Sequence, residues 1–242
     1  MSLGEPLLGV ATALVAGGGV LAGMAAGVFH PRVMLFGPGI WRGPSTRPVV
    51  ALTFDDGPHP HYTERIADIL HRHGAQATFF CIGREVERHS GLARALHGAG
   101  HQLANHTWRH GTGADLFVAS RLEEDLRRCQ ESLFTVTGER PRYYRPAVGV
   151  RNPAVHQAAR QAGLTVVTWT HAARDGAWAF TARRARALAA RTSAGHILTL
   201  HDGSPHERSE LREQTVENLP LLLTELRARG LGTVTLRELL AG

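Results

Sequence analysis

The chain has 242 residues, 43% apolar and 20% charged, an average globular composition that excludes a disordered chain and a polytopic membrane protein. At roughly 150 residues per domain, the length suits one large domain with an appendage. The formal charge is +6, and all 27 basic residues are arginine; they are spread along helix-like stretches beside glutamates, as in Arg84-Glu85-Val86-Glu87-Arg88, which reads as solvated helix faces and argues against nucleic-acid binding.

No residue from Pro6 to Phe29 is charged, and at 1.5 Å per helical residue this run can span about 30 Å of hydrocarbon. A basic start typical of a signal peptide is missing, so residues 1–30 are expected as an uncleaved membrane anchor, with Gly19, Gly23 and Gly27 on one close-packing face. Arg32, Arg42 and Arg47 follow the run; the positive-inside rule then predicts a single-pass protein whose domain faces the cytoplasm. Residues 31–48, with irregular prolines and glycines, read as a linker, and residues 49–242 as the folded domain.

Within that domain, strands are expected at Val49–Phe54, Ala77–Ile82, Gln102–Ala104, Tyr143–Arg145, Leu164–Trp169, His196–Leu200 and from Gly232. Helices are expected between them, at Tyr62–His73, Leu92–Leu96, Leu122–Phe134, Ala154–Gln161, Thr181–Arg191 and Leu211–Arg229. Cys81 and Cys129 fall in apolar-patterned segments and read as small buried hydrophobes. Strictly alternating strands and helices imply parallel pairing through right-handed crossovers, hence an α/β barrel, with an open doubly wound sheet as the alternative. Chemistry in such folds lies just past the strand C-termini. There the sequence places Asp55 and Asp56, Asn105 and His106, Arg145, Asp175, and His201 with Asp202.

Two adjacent carboxylates at the end of an apolar strand repel each other unless a cation takes one of them. His106 and His110, four apart, reach one ion if they share a helical turn. With Asp56 they form a two-histidine, one-carboxylate set that leaves metal positions open.

Those residues resemble the polysaccharide deacetylases, carbohydrate esterase family 4, over about Val49 to Leu240. Thr53-Phe54-Asp55-Asp56-Gly57-Pro58, His106-Thr107-Trp108-Arg109-His110 and Leu198-Thr199-Leu200-His201 match that family's first, second and fifth motifs. The third, usually Arg-Pro-Pro-Tyr-Gly, stands as Arg145-Pro146-Ala147-Val148-Gly149. The fourth, usually Asp-Trp, stands as Asp175-Gly176, with Trp178 displaced.

The resemblance implies a distorted barrel of about seven βα units and metal-assisted removal of an N-acetyl or N-formyl group from an amino sugar, in a cell-envelope glycan or on a polyprenyl-linked sugar at the membrane. It implies Asp56, His106 and His110 as ligands of a divalent ion, zinc before others, and Asp55 as general base held by Arg145. It further implies His201 as general acid assisted by Asp175, and a main-chain N–H near Val148 for the oxyanion. Pro146, Val148 and Trp178 would line the sugar site, and Leu198 and Leu200 would wall the acyl methyl. A catalytically silent carbohydrate-binding relative of the same fold is the alternative.

Overall fold

The computed structural model describes residues 27–28, 30–33, 35–111, 113–203 and 209–241. Strand β1 (Val49–Asp55) is the hub of the sheet. Along one edge it pairs with β7 (Ile197–His201); along the other it pairs first with β8 (Gly232–Val234) and then with β2 (Thr78–Cys81). The remaining strands are β3 (Gln102–Asn105), β4 (Tyr143–Tyr144), β5 (Thr165–Val166) and β6 (His171–Ala172), in the order β5-β4-β3-β2-β1-β7-β6. Every pairing between these strands is parallel, and helices supply the crossovers except between β5 and β6, which residues 167–170 join directly.

These are α1 (Tyr62–Arg72), α2 (Gly83–Arg88), α3 (Ser90–Gly98), α4 (Ala119–Thr137), α5 (Pro153–Gln161), α6 (Ala182–Ala190), α7 (Ser209–Ala228) and the short α8 (Leu236–Leu240). Gly138 ends α4 in the left-handed conformation with φ 72°, which glycine adopts without a Cβ clash. Asn152 caps α5 by accepting from the Val155 N–H, and a Thr235–Glu238 capping box opens α8.

Strand periodicity divides the core into two faces. Val50, Leu52 and Phe54 on β1, Phe79 and Cys81 on β2, and Leu198 and Leu200 on β7 pack among helix residues in one buried cluster. Each large side chain buried there contributes roughly 1.5–3 kcal/mol. The intervening residues Ala51, Phe80, Ala104, Val167 and Ile197 form a separate cluster on the opposite face. Thr53, Asp55, Thr199 and His201 share that second parity, so the same alternation that builds the core turns these polar groups toward the site. Both cysteines are free and fully buried, as expected.

The stretch expected as a linker lies on the barrel. Ile40 accepts from the Thr168 N–H and donates to the Val166 carbonyl oxygen, and Gly43 donates to the Gly195 carbonyl oxygen. The Thr170 hydroxyl donates to the Trp41 carbonyl oxygen at 2.6 Å. Residues 40–43 thereby bridge the chain just past β5 to the chain entering β7, and close the sheet with a loop where a strand is missing. Prolines and glycines suggest a tether from composition alone; here they let the chain turn while its main-chain groups find partners on both sides.

The membrane localisation, with its single-pass anchor, requires correction. Among the described residues, no helix is long and apolar enough to cross a membrane. Most of the expected span, residues 1–26, lies outside the described residues. Val28, inside that expected span, accepts a hydrogen bond from the Arg151 N–H, and the Arg151 guanidinium donates to the carbonyl oxygens of His30 and Val33, so this end of the run is held by the folded domain.

Candidate functional site

The first site element is the turn after β1. Asp55 ends the strand, and Asp56 adopts φ 77°, a conformation that costs a non-glycine residue roughly 1–3 kcal/mol. Gly57 and Gly203 are required beside it. A Cβ on Gly203 would sit 2.2 Å from the Asp56 carbonyl oxygen, and one on Gly57 would sit 2.0 Å from Asp202 Oδ2. Asp202 is buried under this turn, accepts from the Thr63 hydroxyl at 2.5 Å, and has its pKa pushed up to about 7, chiefly by burial.

The two histidines do not share a helical turn. Residues 106–110 form a loop in which Thr107 and His110 take positive φ values of 65° and 55°. Side chains hold the loop in place: Asn105 Oδ1 accepts from the Thr107 N–H at 2.8 Å, Thr107 Oγ1 accepts from the His110 N–H at 2.9 Å, and Asp125 accepts from the Trp108 N–H at 3.1 Å. These bonds satisfy the backbone more locally than a helix would, and they still bring the two rings to a centroid separation of 4.9 Å.

Both Nε2 atoms face Asp56 Oδ1, at 3.3 Å for His106 and 3.1 Å for His110. The three ligand atoms lie within 4.8 Å of one another, and Asp56 Oδ1 is buried with no hydrogen-bond partner. An orphaned carboxylate oxygen facing two imidazole nitrogens is a donor set that fits a divalent cation. His106 is locked for this role, because its Nδ1 donates to the Arg145 carbonyl oxygen at 2.7 Å and leaves Nε2 toward Asp56.

Charge follows the same geometry. Burial pushes the Asp56 pKa up, but the close His106 imidazole and the other nearby histidine charges outweigh it and hold the carboxyl below its usual range. Burial, then the charge of His106, pushes His110 down to about 4, so it is neutral at neutral pH, the form in which imidazole binds a metal. His106 is raised, against burial, by the nearby Asp56 carboxylate; a cation between the two would take the place of that proton.

Asp55 lines the same cavity beside this cluster and is paired with Arg145. Arg145, with no exposed surface, donates to Asp55 Oδ1 at 2.6 Å, to Thr53 Oγ1 at 2.8 Å and to the Thr168 carbonyl oxygen at 2.9 Å. Its guanidinium carbon lies 4.0 Å from the centroid of the Phe80 ring. Across the cavity, His201 Nδ1 meets Asp175 Oδ1 at 2.7 Å. Burial lowers the His201 pKa, but the charge and hydrogen bond of Asp175 outweigh it and push it up to about 9.

One cavity of about 680 Å³ joins these groups: Asp55, Asp56, His106, His110 and His201 all line it. Pro146, Val148 and Trp178 line it too. Val148 (φ 48°) and Trp178 are exposed, by 70% and 60%. Leu198 and Leu200 do not line it; both belong to the helix-side core, and Thr199 between them takes the wall position. Sequence reasoning assigned these two leucines without applying the strand alternation that decides the matter.

It also missed Arg212 and Thr215 on α7. Arg212 donates to Asp175 Oδ2 at 3.2 Å and to the Asp175 carbonyl oxygen at 2.6 Å, and Thr215 donates to Oδ2 at 2.9 Å. Their spacing of three marks one helix face, but nothing in the sequence points that face at Asp175.

The fold and site define a parallel α/β domain with a carboxylate–bis-imidazole cluster and two carboxylate-paired polar groups at its strand C-termini. The family model for polysaccharide deacetylase matches residues 42–167. The chain is 33% identical over 205 residues to the peptidoglycan-N-acetylglucosamine deacetylase of Bacillus cereus, covering 83% of this chain and 92% of that one. It is 32% identical over 189 residues to the chitooligosaccharide deacetylase of Rhizobium leguminosarum bv. trifolii, covering 75% and 86%. Among solved structures, a CE4 family pseudoenzyme from Bacillus anthracis matches with a TM-score of 0.73 at 23% identity, over 84% of this chain and 68% of that one, a likeness of fold. The chain belongs to the polysaccharide deacetylase family.

Proposed function

We propose that this protein hydrolyses the N-acetyl group of an amino sugar in a cell-envelope glycan, with a divalent ion, zinc by its donor set, held by Asp56, His106 and His110. The observation that carries the reading is that the ligand cluster, the Asp55–Arg145 pair and the His201–Asp175 pair open into one cavity. An ion in that cluster supplies Lewis-acid polarisation of the acyl carbonyl and a more acidic water.

The chain's own groups do the rest. Asp55, fixed by Arg145, takes a proton from the attacking water. The main-chain N–H at Val148, on the exposed cavity wall, is offered to the oxyanion. His201, kept protonated at neutral pH by Asp175, delivers a proton to the sugar nitrogen as the C–N bond breaks, so a free amine and acetate leave. An N-formyl group would fit the same chemistry. A silent carbohydrate-binding relative would call for loss of Asp55, a ligand or His201, and all are in place. The test is acetate release from chitotetraose and from peptidoglycan fragments by metal-replete protein, with and without a chelator. Release that stops on chelation is expected; no acetate from either substrate would overturn the proposal.

A further inference from the structure

Positive charge without counter-charge extends from the cavity rim along the seam beside β6. Arg174 and Ala172 line the cavity, and Arg191, just past α6, donates to the Ala172 carbonyl oxygen at 3.1 Å. His171 Nε2 donates to the Arg191 carbonyl oxygen at 3.1 Å, and its ring stands edge-on to His196 with centroids 5.0 Å apart. Arg32 donates to the Thr170 carbonyl oxygen at 2.9 Å. Arg32 and Arg42 both approach Trp41, their guanidinium carbons 5.6 and 5.8 Å from the ring centroid. All four arginines are exposed.

Among the described residues, none of Arg32, Arg42, Arg174 and Arg191 forms an ion pair. Several arginines elsewhere do have such partners: Arg65, Arg127, Arg140 and Arg237 each pair with a glutamate. The groups in the patch repel one another. After burial, the charges of Arg174 and Arg32 lower the Arg191 pKa, and burial followed by His171, Arg42 and Arg32 pushes His196 to about 4. Folding gains nothing from gathering like charges. Guanidinium forks grip oxyanions in two-point geometry, and Trp41 adds an aromatic face among them.

We propose that this patch is an anion subsite, which takes a carboxylate or phosphate carried by the glycan beside the sugar being deacetylated. The inference rests on the deacetylase reading for its orientation: because Ala172 and Arg174 belong to both cavity and patch, a strand with its acylated sugar in the cavity can lay its next residues along the arginines.

The test compares chitotetraose with the same oligosaccharide oxidised to a carboxylate at C6, and with its C6-phosphorylated form. Binding to the intact metal-loaded protein is measured by calorimetry in 50 and 500 mM sodium chloride, and acetate release is followed in parallel. We expect at least one anionic form to bind about fivefold or more tightly than the neutral one at low salt, with the advantage lost at high salt; the form that wins identifies the oxyanion. Arg32→Ala with Arg191→Ala should remove the advantage, and Arg191→Lys should keep most of it. Where turnover occurs, the effect should appear in KM with little change in kcat. Equal binding of all three oligosaccharides at low salt would overturn the subsite, a result obtained on the unaltered protein. Absence of acetate with all three would instead count against the deacetylase reading, because binding is read independently of turnover.

Discussion

His106 donates from Nδ1 to the carbonyl oxygen of Arg145 at 2.7 Å, while the guanidinium of that same Arg145 donates to Asp55 Oδ1 at 2.6 Å. One residue thus orients the proposed metal ligand through its main chain and the proposed base through its side chain. The two roles separate by mutation. Arg145→Ala keeps the carbonyl, so metal content should stay near one equivalent. The buried Asp55 carboxylate loses its partner, which costs about 3–5 kcal/mol of stability, and turnover should drop at least about 100-fold. Metal analysis beside kcat checks this; loss of metal in proportion to activity would contradict the separation.

Adjacent carboxylates should likewise divide. Asp55 faces Arg145, and Asp56 faces the two imidazoles. Asp55→Asn should retain the ion and lower turnover by about 100-fold or more, whereas Asp56→Asn should weaken metal affinity, measured by competition with a chromophoric chelator. Equal metal loss in both variants would refute the assignment.

Much of this was legible in sequence because local chemistry carried it. The Asp-Asp turn after an apolar strand, the pair of histidines and most of the strands and helices survive in the structure with boundaries shifted by a few residues, while the short elements α2, β6 and α8 were not expected. What failed required knowledge of three-dimensional neighbours. The helical reading of residues 106–110 lost to side-chain bonds from Asn105, Thr107 and Asp125. Leu198 and Leu200 lost to strand parity. Residues 40–43 read as tether because their partners, Val166 and Gly195, lie more than 100 positions away. Arg212 and Thr215 were invisible for the same reason: a helix face carries no mark of what it will meet.

The His201–Asp175 pair predicts a pH limb. His201 titrates near 9 in the folded protein against an ordinary value of 6.5, so the protonated acid is present below that range and is lost as pH rises through about 9. Activity should therefore fall on the alkaline side with an apparent pKa near 9. The pair's contribution to stability has the same sign: complete below the unfolded value and lost as pH rises through the folded one. Asp175→Asn removes the charge that raises His201 and should move the alkaline limb toward lower pH. Thr215→Val, which deletes the hydroxyl bonds to Asp175 Oδ2 and to the Leu211 carbonyl oxygen but leaves the Asp175 charge in place, should change activity far less. A pH profile of kcat for the three proteins decides, and an alkaline limb that stays in place in Asp175→Asn would sink the assignment of His201 as the acid.

The last prediction concerns the seam at residues 40–43. This segment donates from Ile40 to Val166 and from Gly43 to Gly195, and accepts at Ile40 from Thr168 and at Trp41 from Thr170. At a net contribution of about 0.5–1.5 kcal/mol per hydrogen bond, the four sum to roughly 2–6 kcal/mol, a large share of a typical domain stability of about 5–15 kcal/mol. A true linker would contribute nothing. Deleting residues 1–43 should therefore lower Tm by about 10 °C, since 1 kcal/mol shifts a domain of this size by about 2–4 °C. Ile40→Pro, which removes the N–H donor to Val166 while keeping the segment, should lower Tm by only a few degrees. Calorimetric scans of the full chain and both variants give the answer. If the deletion leaves Tm unchanged, residues 40–43 are a tether after all, and the sheet closes without them.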